Sequence, residues 1–168
     1  MGAGEKMNEN KINILIVDDE EQFLNPIKRR LEVREFNVIA VNCGEKAIGA
    51  ARNNPFDIAL VDLKMPGIDG EETLKALKKE HKWMEIVILT GHGSIESAIK
   101  CTKSGAYGYL QKPCELDELL EVLKDAYQKK VMNRKSIEEK KMQEILKMSL
   151  ASTPREILRK LKEIDNSS

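Results

Sequence analysis

The feature that most constrains this chain is a fivefold alternation: a short, apolar, β-branched run, then a segment whose apolar residues recur at helical spacing. Ile12 to Val17 (INILIV) is the first such run and stops at Asp18-Asp19; Phe23, Leu24, Ile27 and Leu31 then recur helically through about Arg34. Pro26 falls early in that segment, where it is expected to sit in the first turns or kink the helix. Val38 to Val41 is a second strand, followed by a helix over Gly44 to Arg52 that Asn53-Asn54-Pro55 terminates. Ile58 to Val61 leads to a third helix over Gly70 to Glu80. Glu85 to Thr90 (EIVILT) leads to a fourth over Ser94 to Lys103, and Tyr107 to Leu110 to a fifth marked by Leu116, Leu119, Leu120, Leu123 and Tyr127. Strands apolar along their whole length have no face to offer water, so helices must cover both sides of a parallel sheet, through right-handed crossovers.

Five such units make a doubly wound α/β fold, and five strands suit the flavodoxin-like order 2-1-3-4-5. Ligands of such sheets bind outside the carboxyl ends of the strands, near the reversal of strand order between strands 1 and 3. The polar residues that punctuate the runs gather at that edge. Asp18 and Asp19 follow strand 1, Asp62 follows strand 3, Thr90 ends strand 4 and Lys112 follows strand 5. Three converging carboxylates repel one another and are stable at neutral pH only with a cation between them. Oxygen-only donors with open positions suit Mg²⁺, which commonly pairs with phosphate oxygens. A lysine ammonium and a threonine hydroxyl opposite would give an incoming phosphoryl group charge compensation and a hydrogen-bond donor. Asp62 is then the natural nucleophile, forming an acyl phosphate. Met65-Pro66-Gly67 after it continues neither strand nor helix and fixes the loop behind the carboxylate.

Four stretches, VDDEE (17 to 21), LVDLKMPGIDG (60 to 70), ILTGHGSIESAIKCTKSGAYGYLQKP (88 to 113) and the LDELL helix that follows, together resemble the receiver domain of bacterial two-component response regulators. The resemblance covers roughly Lys11 to Lys129 and looks closest to receivers that control σ54-dependent transcription-activating ATPases. It implies that Asp62 is the phosphoacceptor. Asp18 and Asp19 would organise Mg²⁺, with the backbone carbonyl of Lys64 completing the protein ligands. Thr90 would be the switch hydroxyl, Lys112 the ion-pair partner of the phosphoryl group, and Tyr109 the aromatic that turns inward when Thr90 moves. The Lys112-Pro113 bond is expected to be cis. Lys64 and His92, each two residues beyond a site residue, are expected to flank the phosphoryl group and tune its lifetime. The implied function is a signalling switch that takes a phosphoryl group from a sensor histidine kinase and alters a partner-binding face formed by helix 4, strand 5 and helix 5. Such a protein catalyses only its own phosphorylation and dephosphorylation.

Taken singly, these residues have ordinary explanations. Asp18-Asp19 would cap a helix and Asp62 would open an Asx-turn, but neither accounts for Thr90 and Lys112 at the same edge. Core packing is the default for an aromatic such as Tyr109 in a strand, and His81 and His92 lack partner ligands. A haloacid-dehalogenase-like phosphatase also places an aspartate after a buried strand, but it needs an acid two residues on, where this chain has Lys64. The alternative function is a pseudo-receiver, an interaction module that never takes phosphate, although every residue the resemblance requires is present.

Charge and composition bound the remainder. With 28 basic and 28 acidic residues the chain has no net charge, which argues against direct nucleic-acid or membrane binding. No apolar run approaches the roughly 18 residues that span a bilayer, and the N-terminus lacks a signal peptide's apolar core, so a cytoplasmic protein is expected. Cys43, Cys101 and Cys114 lack metal-ligand spacing and read as reduced thiols. We expect a flexible N-terminus over 1–10, the receiver over 11–129 and a helical extension over 130–168. From Lys129 onward there are 11 basic and 6 acidic residues. Thr153-Pro154-Arg155-Glu156 is a capping box that opens a last amphipathic helix bearing Ile157, Leu158, Leu161 and Ile164. About forty residues is too few for a winged-helix or ATPase output domain. The extension is expected to serve dimerisation or docking of an output protein, as against a solvated helix or a linker to a further domain.

Overall fold

The computed structural model describes residues 11–151 and 153–165; the segment 1–10, expected to be flexible, lies outside them. Five parallel strands, β1 (Asn13–Val17), β2 (Asn37–Val41), β3 (Ile58–Val61), β4 (Glu85–Thr90) and β5 (Gly108–Gln111), form one sheet in the order β2-β1-β3-β4-β5. This is the flavodoxin-like order that the alternation predicts. The helices are α1 (Glu21–Glu32), α2 (Gly44–Asn53), α3 (Gly70–Glu80), α4 (Ile95–Lys103), α5 (Leu116–Ala151) and α6 (Pro154–Asp165). Among the described residues no helix is long and apolar enough to cross a membrane.

Successive strand side chains point to opposite faces, and the sheet accordingly has two cores. Leu15, Val17, Ala59, Val61, Ile86 and Ile88 face one way and pack with Ala47 and Ala51 of α2, Leu74 and Leu77 of α3 and Cys101 of α4. Ile14, Ile16, Ile58, Leu60, Val87, Leu89 and Leu110 face the other way and pack with Leu24, Ile27 and Leu31 of α1 and Leu119, Leu123 and Ala126 of α5. The continuous apolar runs are explained by this: both faces of β1, β3 and β4 are buried.

Local chemistry sets the boundaries. β2 begins at Asn37, one residue earlier than expected, because its N–H bonds Ile12 O (3.0 Å) and its side chain donates to Asn13 Oδ1 (2.8 Å). Asp69 caps α3 by accepting from Glu72 N (2.9 Å) while Glu72 reaches back to Asp69 N (3.3 Å), a complete capping box. Ser94 caps α4 through Ser97 N (3.1 Å). Pro26 lies inside α1, which runs on to Glu32.

The chain divides into two compact units, Met1–Lys130 and Val131–Ser168. Helix α5 is 36 residues long and ends at Ala151, so the helical extension expected over 130–168 begins as a continuation of α5. In the second unit Arg134 pairs with Glu138 (3.2 Å), and Glu156 accepts from Thr153 N (3.0 Å) and Oγ1 (3.1 Å), the reciprocal half of the expected capping box.

Leu77 is fully buried where α3 meets the sheet, so Leu77→Ala removes packing that the neighbours cannot refill. A loss of about 2–5 kcal/mol is expected, read as a lower urea midpoint with unchanged slope.

Candidate functional site

The site exists because the backbone ladder continues one step past the strands. Asp18 N donates to Val41 O (3.1 Å), Asp62 N to Val17 O (2.9 Å) and Lys112 N to Thr90 O (2.9 Å), which holds these side chains at the carboxyl edge of the sheet. Asp18 and Asp62 are each only 2% exposed and Thr90 is fully buried. Burial disfavours their charged or polar groups, so partners are required.

Lys112 is the principal partner. Its ammonium forms an ion pair with Asp18 Oδ2 and lies 3.7 Å from Glu20 Oε1 and 4.0 Å from Asp62 Oδ2. It also sits 4.1 Å from the centre of the Phe23 ring, a cation–π contact from the first helix. The Lys112-Pro113 bond is cis, as expected. Asp18 accepts a second hydrogen bond from Glu20 N (2.9 Å). Burial pushes the Asp18 carboxyl above its ordinary value, with Lys112 and the Glu20 N–H acting against it. Even so, Asp62 Oδ1 is buried with no hydrogen-bond partner.

Asp18, Glu20 and Asp62 each offer an oxygen within 4.8 Å of the others; Asp19 and Glu20 are both exposed, and Asp19 is not one of the three. The turn closed by Asp18 Oδ1 and Glu20 N makes Glu20 the residue that opens α1 and brings its carboxylate beside Lys112. The acidic run DDEE was the available signal, but nothing in it says which acid joins Asp18 beside Lys112. All-oxygen donors of high charge and an orphaned buried carboxylate oxygen fit a hard divalent cation such as Mg²⁺.

The loop behind Asp62 is closed tightly. Gly67 has φ of 83°, a left-handed conformation that glycine adopts without strain, and Glu45 accepts from the next N–H, Ile68 (3.2 Å). A Cβ on Gly70 would strike the Asp62 carbonyl oxygen and stand 2.7 Å from Leu63 Cα, so only glycine lets α3 begin this close. Thr90 Oγ1 accepts from His92 N (3.2 Å). Tyr109 packs on the α2–α4 side of the sheet with its hydroxyl buried and unpartnered, and burial raises its phenol above the ordinary value. Lys64 and His92 line one cavity of about 210 Å³ together with Leu63, Asp69, Ser97 and Cys101. Thus Asp18, Asp62 and Lys112 are in one cluster, with Thr90 ending the neighbouring strand.

Fold and edge together define a class: a doubly wound α/β protein with buried carboxylates and a lysine at its topological switch point. Residues 14–124 match the response regulator receiver domain, and the chain belongs to that family. It is similar to an NtrX-like response regulator of Rickettsia felis, 34% identical over 130 residues that make up 76% of this chain and 27% of the relative. It is also similar to the transcriptional regulatory protein ZraR of Escherichia coli, 34% identical over 120 residues, 71% of this chain and 27% of the relative. The chain therefore matches little more than a quarter of the length of these curated relatives. Among solved structures, a CheY-like receiver domain protein of Methanospirillum hungatei superposes with a TM-score of 0.71 at 29% identity, over 73% of this chain and 98% of that one. NtrX from Brucella abortus gives 0.71 at 26%, over 75% of this chain and 29% of that one. Receiver domains of two-component systems are phosphorylation switches, signalling modules and not classical enzymes; they interact with histidine kinases and output domains and generally bind Mg²⁺ at an acidic pocket.

Clustered carboxylates oppose folding in the metal-free protein. Asp62→Asn should therefore stabilise it by on the order of 1 kcal/mol. Mg²⁺ should raise the melting temperature of the wild type and leave that of the variant nearly unchanged, as calorimetry with and without the ion would show.

Proposed function

We propose that this chain is a phosphorylation switch in which Asp62 accepts a phosphoryl group from a histidine kinase. The observation that carries the reading is Asp62 itself: a buried carboxylate with one oxygen unpartnered, the other 4.0 Å from the Lys112 ammonium, in an acidic cluster at the switch point of the sheet. A buried polar atom left unsatisfied calls for a role that satisfies it. In the transfer an Asp62 oxygen forms the new O–P bond as the P–N bond to the donor histidine breaks, the electron pair returning to the imidazole nitrogen. Lys112 compensates the charge brought in by the phosphoryl oxygens. Thr90, whose Oγ1 now accepts from His92 N, retains its own O–H to donate to one of them.

Asp18, Asp19, Asp62 and the Lys64 carbonyl would hold Mg²⁺, with Glu20 as a further acid beside them. When bound, the ion supplies neutralisation of the phosphoryl oxygens. Lys64 and His92, on one cavity wall, are read as tuning how readily water reaches the phosphoryl group. Rearrangement of Thr90 and Tyr109 would alter the α4–β5–α5 face, where Ile95 and Ile99 are 82% and 51% exposed and offer apolar surface to a second copy or an output protein. The receiver would span 11–129, and the extension 130–168 would serve dimerisation or docking. A cytoplasmic setting follows from the histidine kinase as donor.

The test is intact-mass spectrometry after incubation with Mg²⁺ and acetyl phosphate. A gain of one phosphoryl group is expected, lost without Mg²⁺ and lost in Asp62→Asn. No gain in folded wild type would favour the phosphate-independent pseudo-receiver. Lys64→Ala and His92→Ala are each expected to change the dephosphorylation rate several-fold, followed by the decay of the phosphorylated mass; unchanged rates in both would remove their tuning role.

A further inference from the structure

The loop between Asp62 and α3 closes on itself where Gly70 N donates to Leu63 O (2.9 Å). Its outer turn is held from α2, a helix that contributes no acid to the Asp18, Glu20 and Asp62 cluster. Ile68 N donates to Glu45 Oε1 (3.2 Å). The same carboxylate lies against the preceding residue: a Cβ on Gly67 would stand 2.5 Å from Glu45 Oε1 and 3.2 Å from both Cδ and Oε2. Gly44, just before Glu45, receives the side chain of Ile68. A Cβ on Gly44 would meet Ile68 Cγ1 at 2.5 Å and Cδ1 at 2.7 Å, so this isoleucine packs directly on the α2 backbone. Ile68 is thus held twice by α2, through its N–H and through its side chain. Hydrogen bonds from its own N–H and from Ile68 N keep the Glu45 carboxyl below its ordinary value. A negative charge is also favoured in the first turn of α2, where the N-cap Cys43 makes no side-chain cap bond.

We propose that Glu45 is a positioning residue of the acidic site: through Ile68 N it pins the turn after Asp62 and so holds the Lys64 carbonyl where a divalent cation needs it. Between Ile68 and Lys64 lie only Met65, Pro66 and Gly67. Met65 is buried, the ring of Pro66 fixes its φ, and Gly67 keeps a left-handed φ of 83°. A turn with so little freedom passes a displacement at one end on to the other. Glu45 is not itself a ligand; it acts through the backbone that presents one. Groups that orient metal ligands in this way are worth roughly 10- to 100-fold in metal affinity. A single exposed carboxylate belongs at the lower end of that range. The tether stands on the packing alone; its use at the site rests on the reading of the Lys64 carbonyl as a Mg²⁺ ligand.

The experiment is Mg²⁺ titration of the full chain, Glu45→Ala and Glu45→Gln by isothermal calorimetry, with amide hydrogen exchange of the same three proteins followed by NMR. Glu45 is exposed, so both variants are expected to fold. In Glu45→Ala the Ile68 amide should exchange about fivefold faster or more. The Glu72 amide, which Asp69 caps, should be unchanged. The Mg²⁺ dissociation constant of Glu45→Ala should rise about tenfold. Glu45→Gln keeps an oxygen that accepts from Ile68 N and should return both quantities to within about twofold of wild type. A wild-type Mg²⁺ constant in Glu45→Ala overturns the positioning role, whatever the exchange at Ile68. Equal losses in Glu45→Gln and Glu45→Ala overturn it too, because the bond from Ile68 N is then not what Glu45 contributes. Absence of Mg²⁺ binding in folded wild type overturns the metal reading of the site together with this role, whereas wild-type binding that Glu45→Ala leaves unaltered removes this role alone.

Discussion

The structure depends on one cation. Asp18 and Asp62 are almost fully buried, and Glu20 lies in the same cluster; without the Lys112 ammonium among them, two ionised carboxylates would stand unpaired in the interior. Lys112 is itself held in place by several contacts. Its backbone extends the β4–β5 ladder through Thr90, a cis proline follows it, and Phe23 supports its ammonium from α1. Breaking such a buried pair by removing one partner is far more costly than never forming it, so strands 1, 3 and 5 are electrostatically tied at the edge where ligands bind. Neutrality is nevertheless incomplete. Three acids meet one lysine, and an Asp62 oxygen remains without a partner. That residual negative charge is what a divalent cation and then a phosphoryl group would act upon.

The same edge explains why glycines recur around the site. Gly70 allows α3 to start against the Asp62 backbone, Gly67 turns the loop at positive φ, and Gly93 leaves room for Tyr109. In each case the absent side chain lets a functional element approach another more closely than an alanine would. Stability is sacrificed locally for position: glycine loses more conformational freedom on folding than any other residue. The two sheet cores, with fully buried leucines and isoleucines on both faces, supply the stability that offsets this.

Much of this was legible in the sequence, because apolar period and strand-terminal polar residues are local signals. INILIV ending at Asp18 and EIVILT ending at Thr90 specify buried parallel strands, and parallel strands specify which edge collects their terminal residues. The order 2-1-3-4-5 and the approach of Asp18, Asp62 and Lys112 follow from that logic. What was not legible depends on non-local geometry. Which acid of the DDEE run stands beside Lys112 with Asp18 is set by the hydrogen bond from Glu20 N to Asp18, which four successive acids do not encode. Gly93 reads as loop punctuation until Tyr109 arrives from a strand sixteen residues later. The full extent of α5 was not legible because its buried apolar positions end at Tyr127, and the residues beyond it are mostly charged, with their few apolar members exposed.

The extension is governed by different physics from the receiver. Up to Lys130, the helix is tied down: Lys129 pairs with Glu85 (3.4 Å) and Lys130 with Asp57, two acids at the opposite edge of the sheet from Asp62. Asp57 also accepts from Asn13 N (2.7 Å), so the beginnings of β1, β3 and β4 all contribute to this anchor. Beyond it Val131, Met132, Met142 and Leu146 are about half exposed or more, a distribution that a solvated helix would not favour by itself. The family match ends at residue 124, ahead of this stretch. Helix α5 is thus tied to the sheet through Lys129 and Lys130, while Val131, Met132, Met142 and Leu146 stand exposed among charged residues in its later turns.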